Sequence, residues 1–317
     1  MSEEVNQQEE KQFSIAKTFG IEGVPDTLMV KGRSERTEFV PDIDPDYIFR
    51  KDVLSDVLAW HTFGANEGLW LTGPTGSGKT SILDQVAARL NIPVWTANGH
   101  GRLETPELVG HYALINGNMD YVYGPLTQAM KNGDWFRLDE IDYLDPATSA
   151  GLNTVVEGRP LVIPEKGGEI IKPAKGFKFA VTSNSAGNGD STGLYQGVVR
   201  QNIAFMDRFW MTIVGYPEEA QELTILKKVV PSIPEEIHKT MIEYANQVRK
   251  QFQAQQIEVT MSTRTLVRWA RLADFFRPLK GKGVNPIHHA LDRALAFRAE
   301  PETAASLKEI AQRLFGG

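Results

Sequence analysis

The segment Gly73-Pro74-Thr75-Gly76-Ser77-Gly78-Lys79-Thr80 limits the folds open to this chain more than any other stretch. It has the pattern G-x-x-x-x-G-K-[ST], which works only where a strand runs into a tight loop and out into a helix. That context is present. The apolar run Gly68–Thr72 precedes the loop, and Lys79–Leu90 follows it with Ile82, Leu83, Val86, Ala87 and Leu90 at helical spacing. The glycines let successive backbone N–H groups curl around phosphate oxygens with no side chain in the way. The start of the following helix directs partial positive charge at the same anion. The pattern puts Lys79 at the β- and γ-phosphates and the Thr80 hydroxyl on Mg²⁺, so the chain is expected to bind Mg-ATP.

Further along, apolar strands and helices alternate. Strands are expected at Pro93–Ala97, Trp135–Leu138, Lys178–Thr182 and Trp210–Val214, with helices at Asp46–Phe63, Thr105–Val109 and Pro146–Glu157. This alternation predicts an α/β fold, a P-loop parallel-sheet core covered by helices on both faces. Two segments depart from it and read as hairpins, Gly110–Tyr123 with a turn at Asn116-Gly117-Asn118, and Arg159–Ile171 with a turn at Lys166-Gly167-Gly168. After Gly215-Tyr216-Pro217 the pattern is helical: Glu218–Val229, Pro234–Gln253, Thr263–Phe276, Pro286–Arg298 and Glu302–Leu314 form a small C-terminal α-helical lid. The expected organisation is a disordered tail over 1–13, an extended segment over 14–45, an ATPase core over 46–216 and the lid over 217–317.

Trp135-Phe136-Arg137-Leu138-Asp139-Glu140 ends a strand in two acids. Asp139 at the strand's C-terminal end is placed to hold Mg²⁺ beside Thr80, and Glu140 to act as general base or to orient the attacking water. Arg137 does not suit a central strand, because a buried charge needs a partner. It calls for a carboxylate that the sequence does not identify, or for a place near a subunit surface. The strand ending Thr182-Ser183-Asn184 offers a polar side chain to the γ-phosphate and the water, although Ser-Asn is also ordinary turn chemistry.

These motifs, in this order, resemble the AAA+ ATPases. Asn184 resembles sensor 1, Met206-Asp207-Arg208-Phe209 resembles the arginine-finger motif of the MoxR branch, and Ser262-Thr263-Arg264 resembles its sensor 2. The hairpins fall where that branch carries a helix-2 insert and a pre-sensor-1 hairpin. Lys17–Ile21, Phe39–Phe49, Gln85–Leu90 and Gly189–Gly197 narrow the resemblance to the ATPase-subunit family of aerobic cobaltochelatases, the CobS type. Arg137 and Arg200 are basic where that family is not expected to be.

The resemblance implies a homo-oligomeric ring, a hexamer, in which Arg208 reaches the ATP of a neighbour. It also implies a von Willebrand A-domain partner (CobT-like), a large chelatase subunit, and Mg-ATP-driven insertion of cobalt into a corrin ring. Alternatives are a MoxR-type activator of another metalloenzyme, a nucleic-acid motor and a non-hydrolysing nucleotide-gated scaffold. The intact Glu140 opposes the last of these.

Composition narrows the choice. A net charge of −6 over 317 residues opposes a general nucleic-acid coat. The stripe Arg264, Arg268, Arg271 could bind nucleic acid, or serve as a nucleotide sensor with a subunit interface, but most such runs are solvated helix faces. With no cysteine, disulfides and thiolate chemistry are excluded. The six histidines have no metal-ligand spacing, so cobalt is expected on a partner rather than on this chain. No apolar run is long enough to span a bilayer, and residues 1–12 lack the features of a signal peptide, so a cytoplasmic protein is expected. The Tyr112/Tyr121/Tyr123 hairpin either exposes aromatics to a ring pore or partner, or packs on the core.

Overall fold

The computed structural model describes residues 9–189, 195 and 197–316. Strand β1 (Glu10–Ser14) pairs antiparallel with β2 (Met29–Arg33), and a short helix α1 (Ile15–Phe19) lies between them. A tail extending to residue 13 is therefore corrected, as is a purely extended segment after it. The acidic, glutamine-rich start carries no apolar alternation because β1 buries almost nothing. What orders the hairpin is distant in sequence: the Arg33 guanidinium forms an ion pair with Asp134 (2.6 Å) and donates to Gly133 O (2.6 Å), while Arg33 N donates to Leu90 O (2.8 Å).

The core begins with α2 (Lys51–Phe63), five residues later than the apolar stripe suggested, because Arg50 has extended backbone and serves as its N-cap. There follow β3 (Gly68–Thr72), α3 (Lys79–Arg89), β4 (Val94–Asn98), α4 (Thr105–Val109), β5 (Gly110–Ile115), β6 (Asn118–Tyr123), α5 (Pro125–Asn132) and β7 (Trp135–Asp139). Then come α6 (Pro146–Gly151), α7 (Asn153–Val156), β8 (Leu161–Ile163), β9 (Glu169–Ile171), β10 (Lys178–Ser183), α8 (Ile203–Met206) and β11 (Phe209–Ile213). Both expected hairpins form, as β5–β6 and β8–β9. The single helix expected over Pro146–Glu157 is two, broken at Leu152. Helix α5 was not expected, although Pro125 at its first turn and Gly133 in the left-handed region after it are start and stop signals.

Five strands make an all-parallel sheet in the order β11-β3-β10-β7-β4. β3 and β10 are buried at every position, as strands covered on both faces must be. Alternate residues serve the two faces: Leu69 and Leu71 share a buried cluster with α2 and α3, and Trp70 faces the other side against Phe205 and Phe209. The carboxyl ends of β3, β10 and β7 lie side by side in the middle of the sheet, where a crevice for ligand is expected in such folds.

Helices α9 (Glu219–Val229), α10 (Glu235–Gln253), α11 (Thr263–Phe275), α12 (Pro286–Ala294) and α13 (Pro301–Phe315) complete the chain. Their apolar faces enclose a separate core around Tyr244 and Trp269. Among the described residues no apolar cluster joins the two halves across Gly215–Pro217.

Candidate functional site

The glycine loop joins β3 to α3. Gly73 and Gly76 have positive φ, 152° and 68°, and a Cβ on Gly73 would lie 2.1 Å from Val214 O. Only glycine meets both demands. Lys79, the first residue of α3, turns back into the loop. Its Nζ donates to Gly73 O (2.8 Å), Pro74 O (3.0 Å) and Asn184 Oδ1 (3.0 Å). Burial pushes the Lys79 amine down to about 8, against the opposing pull of Asp142, Glu140 and Asp139. The buried Ser77 hydroxyl in the same loop has no hydrogen-bond partner among the described residues. A buried cation without a contacting carboxylate, beside an unsatisfied hydroxyl and a helix start, fits a bound polyphosphate.

Thr80 Oγ1 donates to Asp139 Oδ1 (3.3 Å), and Thr182 Oγ1 donates to the same oxygen (2.8 Å). A hydroxyl and a carboxylate side by side are hard oxygen donors of the kind Mg²⁺ takes, so these residues fit the ion. Glu140 has left-handed backbone, φ 57° and ψ 43°, and its side chain is exposed. A bulky non-glycine residue in that region stores strain, and such strain concentrates at functional sites. The Glu140 N–H donates to Thr182 Oγ1 (3.3 Å), so Thr182 ties the two acids of β7 to β10.

Arg137 has the partners the sequence could not identify. It bonds Asp139 Oδ2 (2.9 Å) and Asp84 Oδ1, on the face of β7 turned toward α3. Asp142 was not singled out in the sequence. Fully buried, it accepts from Asn184 N (2.6 Å), Ser185 N (2.9 Å) and Ser185 Oγ (2.9 Å). Burial pushes its carboxyl up, and these bonds act against that. Asp142 thereby fixes the backbone that carries Asn184 to Lys79.

Arg208 stands apart from this cluster. Its carbonyl accepts from Gly68 N (2.9 Å) at the start of β3, whereas the glycine loop begins after the end of β3. At ~3.3 Å per residue the strand alone separates them by about 16 Å. The guanidinium instead pairs with Glu157 (2.8 Å). Arg264, in the first turn of α11, is exposed. Its charge helps lower the amine of Lys79, and its neighbour Ser262 packs so closely that a Cβ on Gly76 would lie 2.5 Å from Ser262 Cβ. The lid thus rests on the loop through the N-terminus of α11. Arg264, Arg268 and Arg271 are all exposed on one face of α11.

A second link between core and lid was not anticipated. Tyr216 OH donates to Thr75 O (3.0 Å), and the Arg249 guanidinium lies over the Tyr216 ring, 4.3 Å from its centroid. Arg249 forms a buried two-pronged pair with Glu222 (2.6 and 2.8 Å) and donates to Met261 O (2.8 Å). Thr263 Oγ1 donates to Glu222 Oε1 (2.8 Å). Two charged residues among the apolar positions of α9 and α10 were the available signal.

The tyrosines of the β5–β6 hairpin divide between the two readings. Tyr112 is exposed, while Tyr123 donates to Glu169 of the second hairpin (2.8 Å). Most of the Gly189–Gly197 segment lies outside the described residues, and Arg200 is exposed at its border. Among the described residues there is no group of three or more His, Asp or Glu that could hold a metal, and no helix is long and apolar enough to cross a membrane.

Residues 68–201 match the family model for the AAA domain of the dynein-related subfamily, and residues 222–314 match that for the CbbQ/NirQ/NorQ C-terminal domain. The chain is similar to the aerobic cobaltochelatase subunit CobS of Sinorhizobium sp, 30% identical over 275 residues, which cover 83% of this chain and 81% of the relative. It is similar as well to protein NorQ of Paracoccus denitrificans, 28% identical over 82% of this chain and 92% of the relative. The denitrification regulatory protein NirQ of Stutzerimonas stutzeri is similar too, 27% identical over 78% of this chain and 84% of the relative.

Proposed function

Because the chain belongs to the MoxR/CbbQ type of AAA+ ATPases, we propose that it is a remodelling motor whose Mg-ATP site is completed by a second copy of itself. The observation that carries this reading is the position of Arg208, at the far end of β3 from the loop its own chain supplies. In a ring, that end of one copy faces the glycine loop of the next.

The geometry supports the following roles. The loop N–H groups and the start of α3 cradle the phosphates. Lys79 exchanges its bonds to Gly73, Pro74 and Asn184 for phosphate oxygens, which frees the Asn184 amide to orient water. Thr80 and Asp139 would hold Mg²⁺, which would supply charge neutralisation at the phosphates when bound. Glu140 accepts the proton of the attacking water. Arg208 of the neighbour and Arg264 of the lid stabilise negative charge on the transferring phosphoryl group.

The lowered amine of Lys79 sets a pH dependence. Phosphate raises the Lys79 pKa again, so binding takes up a proton wherever the free amine is neutral. ATP affinity is expected to hold steady below pH 8 and to fall above it, by up to about tenfold per pH unit. Isothermal titration across pH 7–10, in buffers of different ionisation enthalpy, measures both affinity and proton uptake. An affinity flat to pH 10 would overturn the coupling between a lowered Lys79 amine and phosphate binding.

Trans completion is tested by mixing. Arg208→Ala and Lys79→Ala protomers are each expected to be inactive alone. Mixed rings regain a fraction of wild-type turnover, because some interfaces pair an intact loop with an intact Arg208. No recovery, in rings that mass spectrometry shows to be mixed, removes the geometry.

For the partner, similarity to CobS supports a CobT-like von Willebrand A-domain protein, a large chelatase subunit and cobalt insertion into a corrin ring. The C-terminal match and the likeness to NorQ and NirQ support a second reading, activation of another metalloenzyme. Pull-down with ATP and the Glu140→Gln variant separates them. Chelatase subunits support the first, a different adhesion-domain protein supports the second, and nucleic acid alone counts against both.

A further inference from the structure

Asp84, Arg137 and Asp139 form a closed triad beneath the nucleotide site. The period-two register of β7 puts Arg137 and Asp139 on one face, and helical spacing puts Asp84 one turn beyond Thr80 on α3. The Arg137 guanidinium, 8% exposed, spans the two carboxylates, with Nε on Asp139 Oδ2 (2.9 Å) and Nη1 on Asp84 Oδ1. The other oxygen of Asp139 accepts from Thr182 and Thr80. Both Asp139 oxygens are therefore engaged, each from a fixed direction.

Stability alone does not explain an arginine here. The rest of β7 up to Asp139 is apolar and buried, and an apolar side chain in place of a buried ion pair is often neutral or stabilising. Without the guanidinium, the two carboxylates would form a site attractive to a divalent cation. With it, one of the two negative charges is neutralised, the space between the carboxylates is filled, and only Asp139 Oδ1 faces Thr80.

We infer that Arg137 is a resident counter-ion and positioning residue: it occupies the place of a cation between Asp84 and Asp139, so that the divalent ion enters with the nucleotide and is not held by the free chain. The inference rests on Thr80 and Asp139 being the metal ligands.

The test is Mn²⁺ binding by electron paramagnetic resonance, with and without ATP. Wild-type protein is expected to bind no Mn²⁺ below millimolar concentration in the absence of nucleotide. Arg137→Met, with a side chain of similar length and no charge, should bind it at least about tenfold more tightly. Adding Asp84→Asn should reverse that gain. Unchanged nucleotide-free binding in folded Arg137→Met, or tight binding by the wild type, overturns the inference.

Should Arg137→Met fail to fold, Asp84→Asn alone carries the test. The guanidinium then acts wholly on Asp139, and the Mn²⁺ concentration that half-saturates ATP binding should rise by about three- to tenfold. No rise overturns the inference. The underlying reading fails separately if Asp139→Asn leaves the Mn²⁺ dependence of ATP affinity unchanged.

Discussion

Lys79→Ala is expected to lose ATP binding, with affinity falling by about 10²–10⁴. The side chain is placed to make charge-assisted bonds to two phosphates, each worth about 1.5–3 kcal/mol, and every 1.4 kcal/mol is a factor of ten. Little fold stability should go with it. The amine is held at about 8 by burial, so the folded chain disfavours its charged form relative to the unfolded chain. Removing that charge relieves a cost, while the loop carbonyls of Gly73 and Pro74 lose a donor. A thermal melt close to wild type, together with no nucleotide binding by fluorescence titration, is the expected pair of results. Unchanged ATP affinity in a folded variant would refute the phosphate-binding assignment of the loop.

Glu140→Gln should do the opposite, retaining ATP and losing turnover. General-base catalysis contributes ~10²–10⁴ in rate, and the amide cannot take the proton. The carboxylate is exposed, and the residue is tied through its backbone, its N–H donating to Thr182 Oγ1 and its carbonyl accepting from Tyr143 N, bonds that glutamine keeps. Binding and melting temperature should therefore be unaffected while single-turnover hydrolysis falls by about 10²–10³. Glu140→Gly provides an internal control, since glycine relieves a left-handed backbone costing about 1–2 kcal/mol. That variant should melt higher and hydrolyse no faster than Glu140→Gln. Normal turnover in either variant would take Glu140 out of the reaction.

The parts of the site legible in the sequence are those with a local cause. Three closely spaced glycines, a lysine at a helix start and two acids at a strand end each satisfy a backbone requirement within a few residues. The helices of the lid were legible for the same reason, since their apolar stripes repeat every turn. The misplaced elements had weak local signals. The start of α2 depended on the extended backbone of Arg50, and β1 on a hairpin partner 19 or so positions away that buries few of its side chains.

The chain's sequence by itself determined a P-loop, a parallel sheet and a helical lid, because loop dihedrals and the period of apolar residues are encoded locally. Only the tertiary structure decided how the charges are satisfied. Asp142 meets Asn184 from 42 residues away, Arg137 meets Asp84 from 53, and Tyr216 meets Thr75 from 141. A buried charge is tolerated only when a partner approaches to hydrogen-bond distance, and periodicity says which face a side chain takes but not what waits opposite it. The same holds for Arg208: the sequence supplies the arginine, and the sheet places it at the end of β3 away from its own glycine loop, paired with Glu157.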